Sequence, residues 1–246
     1  MNCRNCGHTV EGKFCSDCGQ NSKVGRINFP NFLNEVSESV FQINKGFFYT
    51  LKELFIRPGK SLNEFINGKR KNHFKPIAYV LTWSTLYFLI TQITDQNTWV
   101  EDAITGWMNG VTGQNSGVEN SKFVVWFSKN YAYSTLILLP VFSLASYLSF
   151  WKFGKNYLEH IVVNSYITGQ QAIFYSLFAI GGTVIEGNAM EIFPLLVAIL
   201  YTFRVFWQLF SEGNRMMNIL RSMLTYIMYM IFSLGLLVVL LVINKL

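Results

Sequence analysis

Five apolar stretches downstream of residue 76 limit what this chain can fold into more than any other feature. A bilayer core about 30 Å thick takes roughly 20 mostly apolar helical residues to cross. The stretches run from Ile77 to Thr94, Tyr131 to Trp151, Ala172 to Ile185, Ile192 to Phe210 and Met223 to Ile243. The first two carry no charge, and Pro140 in the second is an expected kink that neighbouring helices can absorb. The third has only 14 residues at its apolar heart and contains Gly181-Gly182, so it reads either as a short crossing or as a re-entrant hairpin arm. The fourth holds one charge, Arg204, and the fifth is almost purely aliphatic. The expected fold is therefore mainly α, a polytopic membrane helix bundle of about five transmembrane helices (near 77–94, 131–151, 171–186, 192–210 and 223–243), with four crossings as the fallback.

Charge separates the chain into two parts. Residues 1–76 hold 12 Lys/Arg and 6 Asp/Glu, whereas residues 77–246 hold 8 of each, so the formal net charge of +6 is N-terminal. Lys60, Lys69, Arg70, Lys71 and Lys75 crowd the approach to the first span, which by the positive-inside rule makes that side cytoplasmic. Lys152, Lys155, Arg215 and Arg221 favour alternate loops, as five crossings require, with Lys245 in dissent. The reading is a cytoplasmic (inner) membrane protein with its N-terminus in the cytosol and its C-terminus outside. No charged segment followed by an apolar run and a small-residue cleavage site opens the chain, so a cleaved secretory signal is not expected. The 95–130 loop is rich in Asn, Gly, Thr and acids; Trp99 and Trp107 suit an interfacial position, and the loop has room for a short surface helix.

All four cysteines lie in the first 18 residues, as Cys3-x-x-Cys6 and, eight residues later, Cys15-x-x-Cys18. None remains downstream for a disulfide framework, which points to a reducing compartment and a metal. Four thiolates suit tetrahedral Zn2+, and Gly7 and Gly19 allow the tight turn after each pair. About 20 residues cannot bury a core, so the metal supplies the folding energy. Saturated by four thiolates, the zinc is structural, and His8 is left as a surface residue. A redox dithiol pair fits poorly without a thioredoxin-like context.

Residues 1–20 thus form a zinc ribbon, 21–75 a linker with cytosolic amphipathic and juxtamembrane helices, and 76–246 the transmembrane bundle. Within 31–68, Phe32, Val36, Val40, Phe47, Leu51, Leu54 and Phe55 recur mostly at helical spacing with polar residues between them, a pattern too polar to span. Ser61 and Glu64 read as a capping box that opens a short helix closed by Gly68. Lys69, Arg70, Lys71 and Lys75, with His73 among them, are candidate contacts for anionic lipid headgroups, weighed against a purely orienting role. Nucleic acid is disfavoured, because the same bases face a membrane surface.

Between the second and third spans, "NYLEHIVVNSY" spaces Asn156, Glu159, His160 and Asn164 along one helical face. Arg204 is the one base inside a span; it reads as snorkelling to the interface or pairing with Glu159 or a lipid phosphate. Glu159, His160 and Arg204 are a candidate polar cluster at a cytoplasmic opening. No phosphate-cradling loop, no H-E-x-x-H, no G-x-S-x-G and no duplicated half is present, so neither an enzyme nor an inverted-repeat transporter is suggested.

These residues together resemble the uncharacterised bacterial zinc-ribbon membrane family termed domain of unknown function 3667. The resemblance rests on "CRNCG" and "FCSDCGQ", on "GFFYTLKELFIRPGKSLNEFINGKRKNHFKPIAYVL", and on "NYLEHIVVNSY". It implies a small cytoplasmic-membrane protein with a cytosolic zinc ribbon, and no activity. The expected role is a non-enzymatic docking protein whose partners are the bilayer and either another protein or a second copy of itself. The alternative is a small-solute or lipid transporter using Glu159, His160 and Arg204.

Overall fold

The computed structural model describes residues 1–29, 46–112, 122–184 and 189–243, and over these the chain is mainly helical. The helices are α1 (Gly46–Ile56), α2 (Pro58–Ile66), α3 (Pro76–Thr94), α4 (Trp99–Thr112), α5 (Lys122–Lys129), α6 (Tyr131–Ser149), α7 (Tyr157–Gly182), α8 (Ala189–Leu209) and α9 (Arg215–Ile243). Four are long and apolar enough to cross a membrane: α3, α6, the 192–209 part of α8, and α9 up to residue 240. Their boundaries follow local chemistry. Pro76 sits in the first turn of α3, where a missing N–H costs nothing, and Asp95 ends it in the left-handed region at φ 53°. Pro140 stays inside α6, and its carbonyl accepts a hydrogen bond from the Tyr157 hydroxyl at 3.1 Å.

The third apolar stretch, over Ala172 to Gly182, is the second half of α7, one unbroken helix of 26 residues, and Ile185 lies outside the described residues. At 1.5 Å per residue the helix is about 39 Å long. A capping box starts it at Asn156: the side chain accepts from the Glu159 N–H at 2.8 Å, and the Glu159 carboxylate accepts from the Asn156 N–H at 2.8 Å. "NYLEHIVVNSY" is thus the cap and first turns of the helix. Too many polar residues break its apolar run for composition alone to mark it as a span.

α7 lies in the middle of the bundle. It runs parallel to α3: the Tyr166 hydroxyl donates to the Phe74 carbonyl, Tyr79 donates to Gln170 at 2.7 Å, and Tyr87 meets Tyr175 further along. The closest approach is at Gly169, where a Cβ would stand 2.5 Å from the Tyr79 ring. Against α6 and α8 it runs antiparallel, with Ser146 beside His160, Gln171 beside Thr202, and Phe210 beside His160. α9 packs antiparallel to α8 through Tyr226 and Thr202, and lies on Phe142 of α6. Successive long helices therefore alternate. The amino ends of α3, α7 and α9 and the carboxyl ends of α6 and α8 share one end of the bundle, which is also the end bearing the cysteines.

α1 and α2 close that end. Gly59 of α2 lies so near α8 that a Cβ would come 2.4 Å from Gln208 Cβ and 2.6 Å from the Val205 carbonyl. The helix starts at Pro58, four residues earlier than a box at Ser61 implies, because Pro at the first position presets the helical φ. Ser61 is then inside the helix, buried, and shares a hydrogen bond with His73 Nε2 at 3.0 Å, while Glu64 pairs with Arg57 and Lys69. Of the expected amphipathic region, residues 31–45 lie outside the described residues; α1 and α2 account for the rest.

Candidate metal centre and its anchorage

The cysteine segment folds as the same knuckle twice, twelve residues apart. Cys3 N–H bonds the His8 carbonyl and Cys15 N–H the Gln20 carbonyl, both at 2.8 Å; Gly7 and Gly19 return to the Cys3 and Cys15 carbonyls, both at 2.9 Å. Bridges Asn2–Thr9 and Phe14–Asn21 repeat with the same offset. Gly7 and Gly19 hold φ of +81° and +70°, where a side chain would be strained. Both knuckles carry the same local sequence, C-x-x-C-G.

The four Sγ atoms lie within 4.8 Å of one another, with Cys3–Cys18 at 3.6 Å and Cys6–Cys15 at 3.5 Å. A disulfide needs about 2.05 Å, so these are free thiols. Zn–S bonds of about 2.3 Å in a tetrahedron put the sulfurs about 3.8 Å apart. The donor set and its spacing fit a tetrahedral thiophilic ion. Backbone N–H groups of Cys6 and Asn5 draw the Cys3 pKa down to about 6, whereas Cys6, against the pull of the His8 N–H, is pushed up to about 12 by burial and the neighbouring thiols. His8 is exposed, and only its backbone joins the cluster's hydrogen bonds, through the Cys3 N–H at 2.8 Å.

The repeat is broken where the clip meets the bundle. His8 in the first knuckle is exposed, whereas its counterpart Gln20 is only 5% exposed. Gln20 donates to the Gly68 carbonyl at 2.9 Å and accepts from the Arg70 and Lys71 N–H groups, each at 3.1 Å. Gly68, at φ +107°, leaves room for the Arg4 side chain. A second anchor follows at Arg26. Its guanidinium forks onto both oxygens of Glu159 at 2.9 and 3.0 Å and also reaches the Gly154 carbonyl, while Asn156 donates to the Ile27 carbonyl at 3.0 Å. Glu159 holds the Arg26 pKa above its ordinary value. Ile27 itself is buried in the main core.

The basic run is largely committed to this joint. Arg70 stacks over Phe65, donates to the Phe65 carbonyl and reaches the Gly25 carbonyl at 3.0 Å; Lys69 pairs with Glu64 at 3.7 Å; and the Lys71 stem lies against Gly19. Lys75 caps the start of α3 in extended conformation.

The three residues expected to form one polar cluster go to separate partners. Glu159 pairs with Arg26 rather than Arg204. His160 is 1% exposed; its Nδ1 meets Ser146 Oγ at 2.9 Å, and Asn164 donates to the same oxygen at 2.7 Å. Arg204 instead donates to the Ile56 carbonyl at 2.8 Å, at the carboxyl end of α1, where unsatisfied carbonyls attract a cation. Arg26 carries no sequence signal, since its partner is 133 residues away. The Asn156 cap does carry one, because Asn-x-x-Glu before an apolar run is a capping pattern.

Residues 44–88 match the model of a family described as a protein of unknown function (DUF3667). Over that segment, which is less than a fifth of the chain, the sequence is similar to this family. The match takes in α1, α2, the turn that receives Gln20, and the first part of α3; the cysteines and α7 lie outside it. No curated protein and no solved structure matches the chain.

Proposed function

We propose that this is a five-crossing integral membrane protein, non-enzymatic, whose zinc clip is a rigid cytosolic docking element for a protein partner or a second copy of the chain. The alternating packing of the long helices and the 39 Å reach of α7 favour five crossings over four. Basic residues at the clip's end of the bundle favour that end as cytosolic, with the C-terminus outside. The cytoplasmic membrane of a bacterium is the setting implied by the resemblance.

The observation that carries the docking reading is the unequal fate of the two knuckles. The second is anchored through Gln20, so the clip is held fast on the base. Away from those contacts, His8 of the first knuckle and Phe14 of the second, which is 62% exposed, face outward. A bulky ring on a rigid, solvent-facing clip is the kind of anchor that protein interfaces use. Placing a photo-crosslinking residue at His8 in native membranes tests it: one discrete adduct is expected, and Phe14→Glu, which leaves the thiols intact, removes it. If Phe14→Glu gives the same adduct in the same amount while zinc content stays at one per chain, the docking role fails. Topology reporters after Gly154 and Leu246 test the crossings separately, with opposite locations expected.

A further inference from the structure

At the end of the bundle remote from the cysteines, α6, α7, α8 and α9 do not close on one another. They surround a cavity of about 470 Å3 that α4 covers with Trp99, Asp102 and Ala103. A second, largely apolar space of about 250 Å3 continues from it between α4 and α9, sharing Trp99, Ala103, Leu138, Tyr229 and Met230, and runs along Leu234, Leu237 and Leu240. Together they have the size of a small-molecule site and the shape of a head chamber with a tail channel.

Several hydrogen-bonding groups line the chamber with capacity left over, the buried Thr135 hydroxyl and three others among them. Tyr175 is 7% exposed, and its hydroxyl makes no hydrogen bond among the described residues. The same holds for the Tyr229 hydroxyl. Gln171 spends its Nε2 on the Ala198 carbonyl, Thr202 and Tyr226 at 3.0–3.3 Å, which leaves its oxygen without a donor among the described residues. A buried tyrosine normally finds a partner for its hydroxyl, so one facing a chamber unpaired points to a bound molecule. The charge pattern narrows the choice. Asp102 stands at the cover, and no Lys, Arg or His lines either space among the described residues. An anionic headgroup would meet an acid and no counter-charge.

We infer that this chamber binds an uncharged long-chain lipid, its hydroxyl or carbonyl head hydrogen-bonded by Tyr175, Tyr229 and Gln171 and its tail lying in the channel beside α9. This rests on the membrane reading above. It is separate from the docking clip and uses none of Glu159, His160 or Arg204.

The test uses the full chain in lipid nanodiscs and two photoactivatable probes with the same 16-carbon diazirine tail, one ending in a hydroxyl and one in a phosphate. Crosslinks are mapped by mass spectrometry, with lipid-facing Leu200 and Ile227, 64% and 56% exposed, as the reference for unselective labelling. The alcohol is expected to label chamber and channel residues several-fold above that reference, and the phosphate is not. Ala103→Trp, which fills the shared neck, abolishes the excess; Tyr175→Phe, which removes one oxygen and no volume, lowers it about three- to tenfold. Equal labelling of chamber and reference by the alcohol, equal chamber labelling by both probes, or an excess unchanged in Tyr175→Phe overturns the inference. Absence of labelling at Leu200 and Ile227 themselves would instead overturn the membrane reading.

Discussion

α7 and α9 are the two longest helices, at 26 and 29 residues, and they solve opposite problems. α9 turns Leu220, Leu224, Ile227, Ile231 and Val238 outward and keeps Asn218, Ser222 and Thr225 inside. α7 is wrapped by α3, α6 and α8 and buries Glu159, His160, Asn164, Ser165, Gln170 and Ser176. In water the outer face of α9 would be an association liability. Among lipid tails it costs nothing, and the polar groups are what must be hidden and paired. The difference teaches that in this bundle the polar helix is the structural centre, and the apolar one is the wall.

Glycine substitutions should break that contrast most visibly. Gly169→Leu drives a side chain into Tyr79 and the Val80 backbone, so α3 and α7 separate, with an expected loss of about 3 kcal/mol or outright misfolding. Gly235→Leu on α9 meets nothing within 4 Å and should leave the thermal midpoint in detergent unchanged. Similar losses in both would show that α9 is not a wall.

Hydrogen bonds come next. Asn164→Leu deprives Ser146 and Ser143 of their donor and should cost about 1–2 kcal/mol by unfolding in mixed micelles. Ser233→Leu on α9, whose hydroxyl bonds only the Met230 carbonyl of its own helix, should be neutral in the same assay. At the base of α7, Glu159→Gln keeps an acceptor for the cap but loses the charge on Arg26. Because Arg26 is 59% exposed, the stability change should stay below about 1 kcal/mol. Hydrogen exchange at residues 20–29 should nevertheless speed up as the clip's second anchor loosens.

The smallest effect is expected below both helices, at His73. Burial lowers its pKa from the ordinary 6.5, so the unfolded chain takes up the proton first as pH falls. Its contribution is then complete above pH 6.5 and declines as pH drops from 6.5 toward the folded value. His73→Gln should flatten that acid slope while leaving the alkaline side of the profile alone. A slope unchanged in the variant would assign it to another group.

The apolar stretches lie in helices, as the sequence places them, because long runs of mostly apolar residues admit few other states. The cysteine cluster was legible for a similar reason, since each knuckle is closed by bonds within six residues. The third stretch is helical as expected, but the length of its apolar run did not show that the helix starts as early as Tyr157, because the first half of α7 buries polar residues against its neighbours. Its start was legible in Asn156-x-x-Glu159, yet the same residues also suggest a polar mouth, and periodicity cannot separate a cap from a site. The early start of α2 at Pro58 was obscured by Ser61 and Glu64, whose spacing imitates a box although Ser61 faces His73.

By itself, then, the sequence determined the membrane-length helices, the side on which positive charge gathers, and the four-thiolate clip, all of which depend on composition or on contacts a few residues long. Only the tertiary structure decided that α7 is central, that Glu159 belongs to Arg26 while Arg204 belongs to the Ile56 carbonyl, and that a chamber remains at the far end. Those outcomes depend on which helix faces meet across more than a hundred residues of chain. Hydropathy records how apolar a helix is, but not which neighbours will cover its polar side.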